Sequence, residues 1–374
     1  MKQRVLGSLA LLAATLALCL TSEGAPPQAP QLRILSDQPL PPALSKAVDI
    51  RWASDSSVYL AMLKEGTVEI SLSPLGTQVR EMVPGSLKPG GFWGSSRIGA
   101  SDAYLAVSGP LYSVTWRTLA NPTRKEEGGF DFIEDLDIYR NQALVLGARR
   151  DEKGSFAPDG GIVWLGSLDK DLKDLRPILF DSTGPGAGNF AKCGSLELGA
   201  VRFLPDGWIV AVPGVEPGAF LYDPTGKLVR SWDTHALGLA ADCARLKPDE
   251  AKRISFPPGR VTWLNERNTL DDILPLPAGP GLILRSVKNG QVHWLLKVLS
   301  REGEPRTYEL PIEPQNAIAH LRGDVRAGRI ALLVYAWKND LMSTLAPRLA
   351  LAETSKLAAI DVDLEPKGEH DAAF

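Results

Sequence analysis

The sequence predicts an all-β fold, a β-propeller of about six four-stranded blades, and three observations lead to this prediction. Short runs rich in Val, Ile, Leu, Tyr and Trp recur along the chain, bounded by Gly, Pro, Asp and Asn, as in strands joined by turns. Helical periodicity is scarce. Roughly 350 residues follow the N-terminal signal, more than the ~100 to 200 of an ordinary single core. The chain instead divides into units of similar pattern, which predicts a repeat fold.

The clearest unit is residues 196–232, LELGAVRFLPDGWIVAVPGVEPGAFLYDPTGKLVRSW. It divides into four strands, and two of its turns contain the turn formers Pro-Asp-Gly and Pro-Thr-Gly. Five further segments repeat this pattern with different letters, namely residues 47–83, 97–119, 133–179, 268–311 and 317–364. This division gives six units, and the alternative blade counts are five and seven.

A short apolar stretch ahead of the first unit, Gln31 to Leu35, has a predicted place in the ring. A four-stranded sheet of ~40 residues cannot bury both faces alone, whereas sheets stacked around an axis can. We predict that this stretch joins the sheet of the last unit, so that the two ends of the chain close the propeller. An open stack would need capping elements, which the sequence does not show.

The first 24 residues have the layout of a secretory signal peptide. Lys2 and Arg4 precede an uncharged Leu/Ala-rich run, which is shorter than the ~20 residues of a membrane-spanning helix. Small residues favour cleavage between Gly24 and Ala25. The mature chain is therefore expected to be exported, to the periplasm or outside the cell, with no membrane span.

The three cysteines fit the same compartment. Cys19 leaves with the signal peptide; a lipid anchor on it is a minor alternative, because Leu18 stands where bacterial lipoproteins usually have a small residue. Cys193 and Cys243 remain, and an oxidising compartment favours a disulfide between them. Two buried free thiols would give the same sequence.

The predicted domain organisation places an excursion inside one propeller domain. Ala/Leu spacing in residues 233–267 predicts one or two short helices. A Cys193–Cys243 bridge would staple this insertion to the blade, where it serves either as a structural insertion, which we favour, or as a lid over one face. The boundaries are signal peptide 1–24, propeller 25–364 and C-terminal tail 365–374.

Composition excludes several function classes. The formal net charge is −3, and no basic cluster is interleaved with aromatics, which argues against nucleic-acid binding. Only four histidines occur, without HExxH, which argues against a zinc site. The nucleophile elbow G-x-S-x-G is missing too. The sequence therefore predicts no catalytic residue and favours a monomeric binding protein for an unknown protein or small molecule.

Residues 203–232, followed by residues 264–285, resemble the bacterial exported six-bladed β-propellers related to NHL repeats. In such proteins an Asp-Gly turn precedes a hydrophobic strand, as at Asp206-Gly207, and a later strand ends in D-x-x-G-K, as at residues 223–227. The resemblance is good over residues 196–310 and faint elsewhere. It implies a propeller fold and export, in a group whose members are binding platforms, sensors or, less often, enzymes.

Propellers usually bind ligands at the central channel, which the innermost strand of each blade lines. If the first strand of each unit is innermost, the polar candidates are Arg51, Arg97, Asp135, Asp137, Glu197, Asp271, Asp272 and His320. They could hold a small anionic or sugar-like ligand, or simply pair with one another. The enzymatic alternative is a lactonase-like hydrolase or lyase with channel-bound calcium, but no Asn accompanies the carboxylates at early-strand positions. No cofactor is therefore predicted, with calcium as the low-ranked exception.

Overall fold

A computed structural model of the chain describes residues 33–361, and all of its elements belong to one unit, residues 32–374. The description leaves gaps at residues 42–43, 45–46, 63–65, 73–74, 85–96, 109–112, 122, 124, 128, 150–159, 183–188, 191–192, 194–195, 197, 216–217, 240–242, 244–245, 255–256, 302, 311, 313–314, 317–318 and 338–351. The predicted signal peptide, Cys19, the Gly24–Ala25 cleavage site and the C-terminal tail lie outside the described residues. Within the described ranges, no helix has the length and apolar character needed to cross a membrane.

The described strands form six antiparallel sheets, numbered here in chain order. Sheet 1 contains β2 (Ala47–Ser54), β3 (Ser57–Met62), β4 (Gly66–Leu72) and β5 (Leu75–Pro84). Sheet 2 contains β6 (Ile98–Ala100), β7 (Tyr104–Ser108), β8 (Val114–Thr118) and β9 (Lys125–Glu127). Sheet 3 contains β10 (Phe130–Tyr139), β11 (Gln142–Arg149), β12 (Gly161–Ser167) and β13 (Arg176–Phe180).

The second half of the chain supplies the other three sheets. Sheet 4 contains β14 (Ala200–Phe203), β15 (Ile209–Val212), β16 (Gly218–Tyr222) and β17 (Leu228–Asp233). Sheet 5 contains β18 (Thr269–Leu276), β19 (Gly279–Lys288), β20 (Gln291–Val298), β21 (Arg306–Glu309) and β22 (Gln315–Asn316). Sheet 6 contains β23 (Ala319–Arg326), β24 (Arg329–Trp337), β25 (Ala352–Asp361) and the N-terminal β1 (Arg33–Pro39).

The first strands of the sheets lie side by side around one axis. β2 contacts β6, and the contacts continue through β10, β14, β18 and β23 back to β2. These inner strands are largely buried; in β14 every residue is buried, whereas the outermost strand of the same sheet, β17, is mostly exposed. Sheets that radiate from a closed inner ring are the arrangement of a β-propeller, so the predicted fold class is confirmed.

Five of the sheets have the predicted four strands, and sheet 5 departs from the prediction because it has five. Strand β21 pairs only with Leu295–Val298 of β20, while β22 pairs with Gln291 and Val292 at the other end of the same strand. Pro311 and Pro314 lie between β21 and β22 in the sequence, and proline has no N–H with which to continue an edge pairing. The structure thus has five four-stranded blades rather than six, plus one sheet whose outer position is split between two segments.

The N-terminal strand closes the ring, as the sequence predicts. β1 pairs antiparallel with β25 of sheet 6, from Arg33 opposite Asp361 to Pro39 opposite Lys356. Its bounds differ from the predicted Gln31 to Leu35, because the pairing with β25 extends to Pro39. A bulge between Ile34 and Ser36 adjusts the register.

Apolar clusters fill the spaces between neighbouring sheets, which accounts for the stability of the ring. Ile283 of sheet 5 lies in one cluster with Leu332 of sheet 6, and Leu146 of sheet 3 lies in another with Ile209 of sheet 4. Each sheet therefore buries its faces against its neighbours. Burial of this kind contributes roughly 25 cal/mol per Å² of apolar surface.

The described part of the insertion after sheet 4 has three short helices, where the sequence predicts one or two, and a disulfide links the insertion to Cys193. The helices are α1 (Thr234–Leu237), α2 (Pro248–Ile254) and α3 (Pro257–Asn265). A disulfide joins Cys193 to Cys243, with Cα atoms 5.6 Å apart, as predicted. Trp263 of α3 is fully buried in the apolar cluster between sheets 3 and 4. The third helix is therefore packed into the propeller.

Candidate functional site

The inner edge of each first strand has no further strand beside it, so its backbone N–H groups need other acceptors. Carboxylates of the preceding sheet supply them. Asp49 of sheet 1 accepts from the Ile98 N–H of sheet 2 at 2.8 Å. Asp137 of sheet 3 accepts from Phe203 of sheet 4 at 2.7 Å. These side chains bond one blade to the next.

Three further carboxylates follow the same rule. Asp135 accepts from the Val201 N–H at 2.9 Å, and Asp272 of sheet 5 accepts from the Gly323 N–H of sheet 6 at 2.9 Å. Asp324 of sheet 6 accepts from the Trp52 N–H of sheet 1 at 2.8 Å and thus closes the circle. At the remaining junctions the donors are guanidinium groups: Arg97 bonds the Glu134 carbonyl, and Arg202 bonds Asp272.

β-Bulges explain why consecutive acidic residues both reach the centre. The pairing register shifts between Ala47 and Asp49, between Ile133 and Asp135, and between Leu270 and Asp272. A bulge places two residues of one strand opposite one residue of its partner, which breaks the strict alternation of side chains. Glu134 can therefore also contribute, and it accepts from the Gly199 N–H at 2.5 Å. A side chain at Gly199 would force Leu146 or Glu134 to move, since a Cβ there would lie 2.6 Å from Leu146 Cδ2 and 2.9 Å from Glu134 Oε2.

An alternating row of arginine and aspartate, which we call the central cluster, runs through the ring axis. Arg202 contacts both Asp135 and Asp272, each at 2.5 Å. Arg51 lies 4.0 Å from the free oxygen of Asp135, and Arg322 lies 3.7 Å from Asp272. The cluster comprises Arg51, Arg202, Arg322, Asp49, Asp135, Asp137, Asp272 and Asp324. Ion pairs in the cluster are thus short at Arg202 and between Arg51 and Asp49, at 3.1 Å. They are long between Arg51 and Asp135 and between Arg322 and Asp272.

Several donors of the central cluster have no acceptor among the described residues. They are Arg51 Nε and Nη2, Arg202 Nε and Arg322 Nη1; the one unsatisfied acceptor of the cluster is Asp135 Oδ1. The three arginines are no more than 2% exposed. A buried donor without a partner costs about 1–3 kcal/mol. The cluster therefore has unused hydrogen-bonding capacity for a small species that accepts hydrogen bonds.

The pKa values of the central aspartates are shifted in opposite directions, because burial raises them and the neighbouring arginines lower them. Burial raises the pKa of Asp137 to about 7, although Arg202 and Arg51 oppose it. Burial likewise raises the pKa of Asp324. For Asp135, burial is outweighed by Arg202 and Arg51, and its pKa is lowered. The centre thus combines an aspartate that stays ionised, Asp135, with Asp137, which can take up a proton near neutral pH.

Beside the central cluster, Asp271 connects three elements. It accepts hydrogen bonds from Trp294 Nε1 at 2.6 Å and from the Leu321 N–H at 3.0 Å, and its other oxygen lies 3.0 Å from His320 Nδ1. Burial opposes ionisation of Asp271, but His320 outweighs it and the pKa of this carboxyl is lowered. The His320 ring also stacks on Tyr335, with centroids 5.7 Å apart. His320 is therefore held between sheets 5 and 6.

The structure brings most of the predicted channel residues together. Arg51, Asp135, Asp137 and Asp272 lie in the central cluster, with Arg97, Asp271 and His320 on its margin; Glu197 lies outside the described residues. Sequence reasoning missed Asp49, Glu134, Arg202, Arg322 and Asp324. Each is a charged residue in or beside an apolar first strand. This contrast is the sequence signal by which they could have been identified.

The carboxylates of the centre are poorly suited to calcium. Among the described residues, no group of three or more His, Cys, Asp or Glu side chains has a metal-binding arrangement. Asp135 and Asp272 each accept both a backbone N–H and an arginine, whereas calcium needs six to eight free oxygen ligands. The predicted enzymatic alternative therefore has no support from this geometry.

A cleft of about 670 Å³ opens between sheets 2 and 3, at the turns that join their first and second strands. Its polar lining consists of Ser101, Asp102, Tyr104, Arg140, Asn141 and Asp169. The Tyr104 hydroxyl and the Asn141 amide both donate to the Asp169 carboxylate. These two hydrogen bonds lower the pKa of Asp169. The carboxylate is thus ionised and fixed in place at the edge of an open cleft.

The two turns of the cleft support each other. The Ser101 hydroxyl donates to the Arg140 carbonyl at 2.8 Å. Arg140 has a left-handed backbone conformation, with φ of 54°, and its guanidinium lies 5.1 Å from the centroid of the Tyr139 ring. A non-glycine residue in this conformation is uncommon and often occurs at tight turns. The cleft therefore has a defined shape.

No family model matches this chain, and no curated protein matches it. The solved structures that are similar in shape include the following three. Hydrazine synthase of Kuenenia stuttgartiensis has a TM-score of 0.46 at 13% identity, over 79% of this chain and 77% of that one. A DUF4221 family member from Bacteroides vulgatus has 0.49 at 10%, over 88% and 97%, and the RRP9 WD40 repeats have 0.47 at 10%, over 88% and 100%. Since all three TM-scores are below 0.5, the propeller assignment rests on the strand order and the ring contacts.

Proposed function

We propose that this chain is an exported, non-enzymatic binding protein and that its ligand site is the cleft between sheets 2 and 3. The observation that carries the proposal is a contrast in how the charged groups are used. The carboxylates at the ring centre bond neighbouring blades, whereas Asp102 and Arg140 line an open cleft. A concave site with a few fixed polar groups is the usual form of a small-ligand site.

The lining favours a polar ligand rich in hydroxyl groups, and saccharides are the first class to test. Asp169 and Asn141 provide acceptors, and Arg140 and the amide of Asn141 provide donors. Carboxylates and amides are suited to pairs of hydroxyls, and Tyr104 and Tyr139 add aromatic surface. A rigid sheet pair beneath the turns would keep these groups in position for binding.

Two features support export. The N-terminal sequence has the layout of a signal peptide, and the Cys193–Cys243 disulfide is of a kind that persists in oxidising compartments. We further propose that sheet 5, with its split outer strand, functions as the sixth blade. The resemblance to NHL-repeat propellers agrees with a count of six blades. That resemblance stays a prediction.

Ligand-observed NMR with the mature protein tests the proposed site. The probes are mono- and oligosaccharides, with short peptides and organic acids as comparison classes. We expect saccharides to bind the wild type and binding to fall at least tenfold in Asp169→Asn and Arg140→Glu. The matched control is Asp206→Asn, at the corresponding turn of sheet 4, where Asp206 pairs with Arg301.

Two results would contradict the proposal. Saccharide binding that survives both cleft substitutions would place the site elsewhere on the protein. Binding confined to peptides or organic acids, with saccharides inactive, would overturn the ligand class. Loss of binding in Asp206→Asn as well would show that the effect is not specific to the cleft.

A further inference from the structure

The guanidinium groups at the centre of the ring offer more hydrogen bonds than their surroundings accept. Arg51, Arg202 and Arg322 come from sheets 1, 4 and 6 and are buried, at 2%, 1% and 2% exposure. Four of their N–H-bearing atoms have no acceptor among the described residues, against one unsatisfied carboxylate oxygen in the cluster, on Asp135. A species that only accepts hydrogen bonds would resolve this imbalance.

The three arginines are linked to one another through shared carboxylates. Asp135 lies between Arg51 and Arg202, and Asp272 lies between Arg202 and Arg322. The contacts at the two ends of the row, 4.0 Å and 3.7 Å, are too long for hydrogen bonds. The unsatisfied N–H groups therefore have no hydrogen bond to Asp135 or Asp272, although Arg51 Nη1 bonds Asp49 at 3.1 Å.

We propose that the central cluster binds one small inorganic anion of the halide class through Arg51, Arg202 and Arg322. A halide accepts several N–H groups and brings no donor of its own. Guanidinium groups are strong anion partners when buried.

Protonation of a carboxyl favours entry of the anion. With every group ionised, the five aspartates and three arginines of the central cluster carry a net charge of −2, which opposes a further negative charge. Asp137 is the carboxyl best placed to take up the proton: burial raises its pKa to about 7, Arg51 and Arg202 face it and oppose that shift, and Asp324 adds to it. Halide binding should therefore be tighter below pH 7 than above it.

Anomalous diffraction from crystals grown or soaked in bromide at pH 5.5 is the direct test. We expect a bromide peak at the ring axis within about 3.5 Å of at least two of the three guanidinium groups, a hydrogen-bonding distance for an ion somewhat larger than oxygen. Bromide peaks confined to the protein surface, with ordinary water density at the axis, would overturn the proposal.

Thermal melting provides the second measurement. At pH 5.5 we expect the melting temperature to rise by roughly 2 to 4 °C per tenfold increase in bromide above its Kd, relative to gluconate at equal ionic strength. At pH 8 the rise should be much smaller. Equal effects of bromide and gluconate at both pH values would contradict a specific site.

A matched pair of variants separates the central site from general salt effects. Arg322→Met removes one proposed ligand, whereas Arg326→Met alters an arginine of the same strand whose partners, Asp55 and Asp102, are at the surface. We expect the bromide response to fall in the first variant and to persist in the second. An unchanged response in Arg322→Met would count against the proposal, and the wild-type diffraction test stands even if that variant does not fold.

Discussion

The ring centre and the cleft between sheets 2 and 3 use the same kinds of residue for different purposes. In the centre, Asp135 and Arg202 are 0% and 1% exposed and bond one another and the backbone of neighbouring blades. At the cleft, Asp169 is held by Tyr104 and Asn141 and faces solvent. Charge at the centre therefore joins the blades, and charge at the cleft is free to meet a ligand.

The difference arises because the backbone at the ring centre lacks hydrogen-bond partners that the turns of the cleft already have. The inner edges of the first strands have N–H groups with no neighbouring strand, so carboxylates there replace the missing partners. The turns at the cleft already satisfy much of their backbone within the turn and with each other, as in the Ser101 bond to Arg140. Their remaining polar side chains are not needed to hold the ring together.

Removing Arg202 should have the largest effect on stability. Arg202→Met leaves Asp135 and Asp272 buried without their shared cation, which costs about 3–5 kcal/mol. Urea denaturation of the mature protein measures this loss. The matched control is Arg301→Met, which breaks an ion pair at the surface and should cost less than ~1 kcal/mol. Equal losses in the two variants would contradict the distinction between centre and surface.

The disulfide comes next in size. Cys193→Ser with Cys243→Ser opens a loop of about 50 residues, and the chain-entropy model gives a loss of ~3 to 4 kcal/mol. Urea denaturation with and without a reducing agent provides the comparison: reduction should destabilise the wild type and leave the double variant unchanged. A double variant as stable as the oxidised wild type would show that the insertion is held by Trp263 and its neighbours alone.

Stability should fall as pH rises from 5 to 8, because of Asp137. Its pKa in the folded protein is raised to about 7, so the folded state binds more protons than the unfolded state between the unfolded value near ~3.9 and ~7. The free energy of unfolding should therefore drop by about 2 to 3 kcal/mol between pH 5 and pH 8. Asp135 and Asp271 have lowered pKa values. Their protonation therefore changes the free energy of unfolding only below about pH 4 and does not offset this trend.

Asp137→Asn isolates that contribution. The amide oxygen can still accept from the Phe203 N–H, so the junction between sheets 3 and 4 keeps its bond. We expect a flatter pH profile and a gain in stability at pH 8, measured by urea denaturation at several pH values. A slope identical to that of the wild type would mean that another group titrates.

The cleft substitutions should scarcely affect folding. Asp169→Asn removes a charge from a solvent-exposed site, and such changes usually lie within about 0.5 kcal/mol. Melting temperature is the measurement. A loss comparable to that of Arg202→Met would show that the cleft carboxylate is structural and would weaken the proposed binding role.

Calcium removal should have no effect at all. We expect the same melting temperature, within about 1 °C, with calcium and with a chelator, because the central carboxylates already bond N–H groups and arginines. Stoichiometric calcium in the purified protein, with a melting temperature that falls on chelation, would instead favour the hydrolase or lyase alternative.

Much of the fold could be predicted from the sequence, because its turns are explicit. The unit at residues 196–232 has Pro-Asp-Gly and Pro-Thr-Gly turns, and β14 to β17 follow them. The split of the outer strand in sheet 5 could not be predicted in full. Pro311 and Pro314 mark the interruption, but the return of Gln315 and Asn316 to β20 depends on three-dimensional packing.

The position of some central charged residues could be predicted for a similar reason, whereas their role in ligand binding stays a prediction. Treating first strands as innermost found Arg51, Asp135 and Asp272. Strict alternation of side chains fails at the β-bulges before Asp49, Asp135 and Asp272, so the faces of neighbouring residues could not be assigned from the pattern. The cleft was missed because it forms between turns of two different sheets.

Native-state hydrogen exchange tests most directly whether central carboxylates join the blades. The amides of Val201, Phe203 and Gly323 face no neighbouring strand and donate to Asp135, Asp137 and Asp272. We predict that they exchange as slowly as amides within the strand ladders of sheets 3 to 6, and so only through global unfolding. Fast exchange at these amides, while the ladders stay protected, would contradict the account.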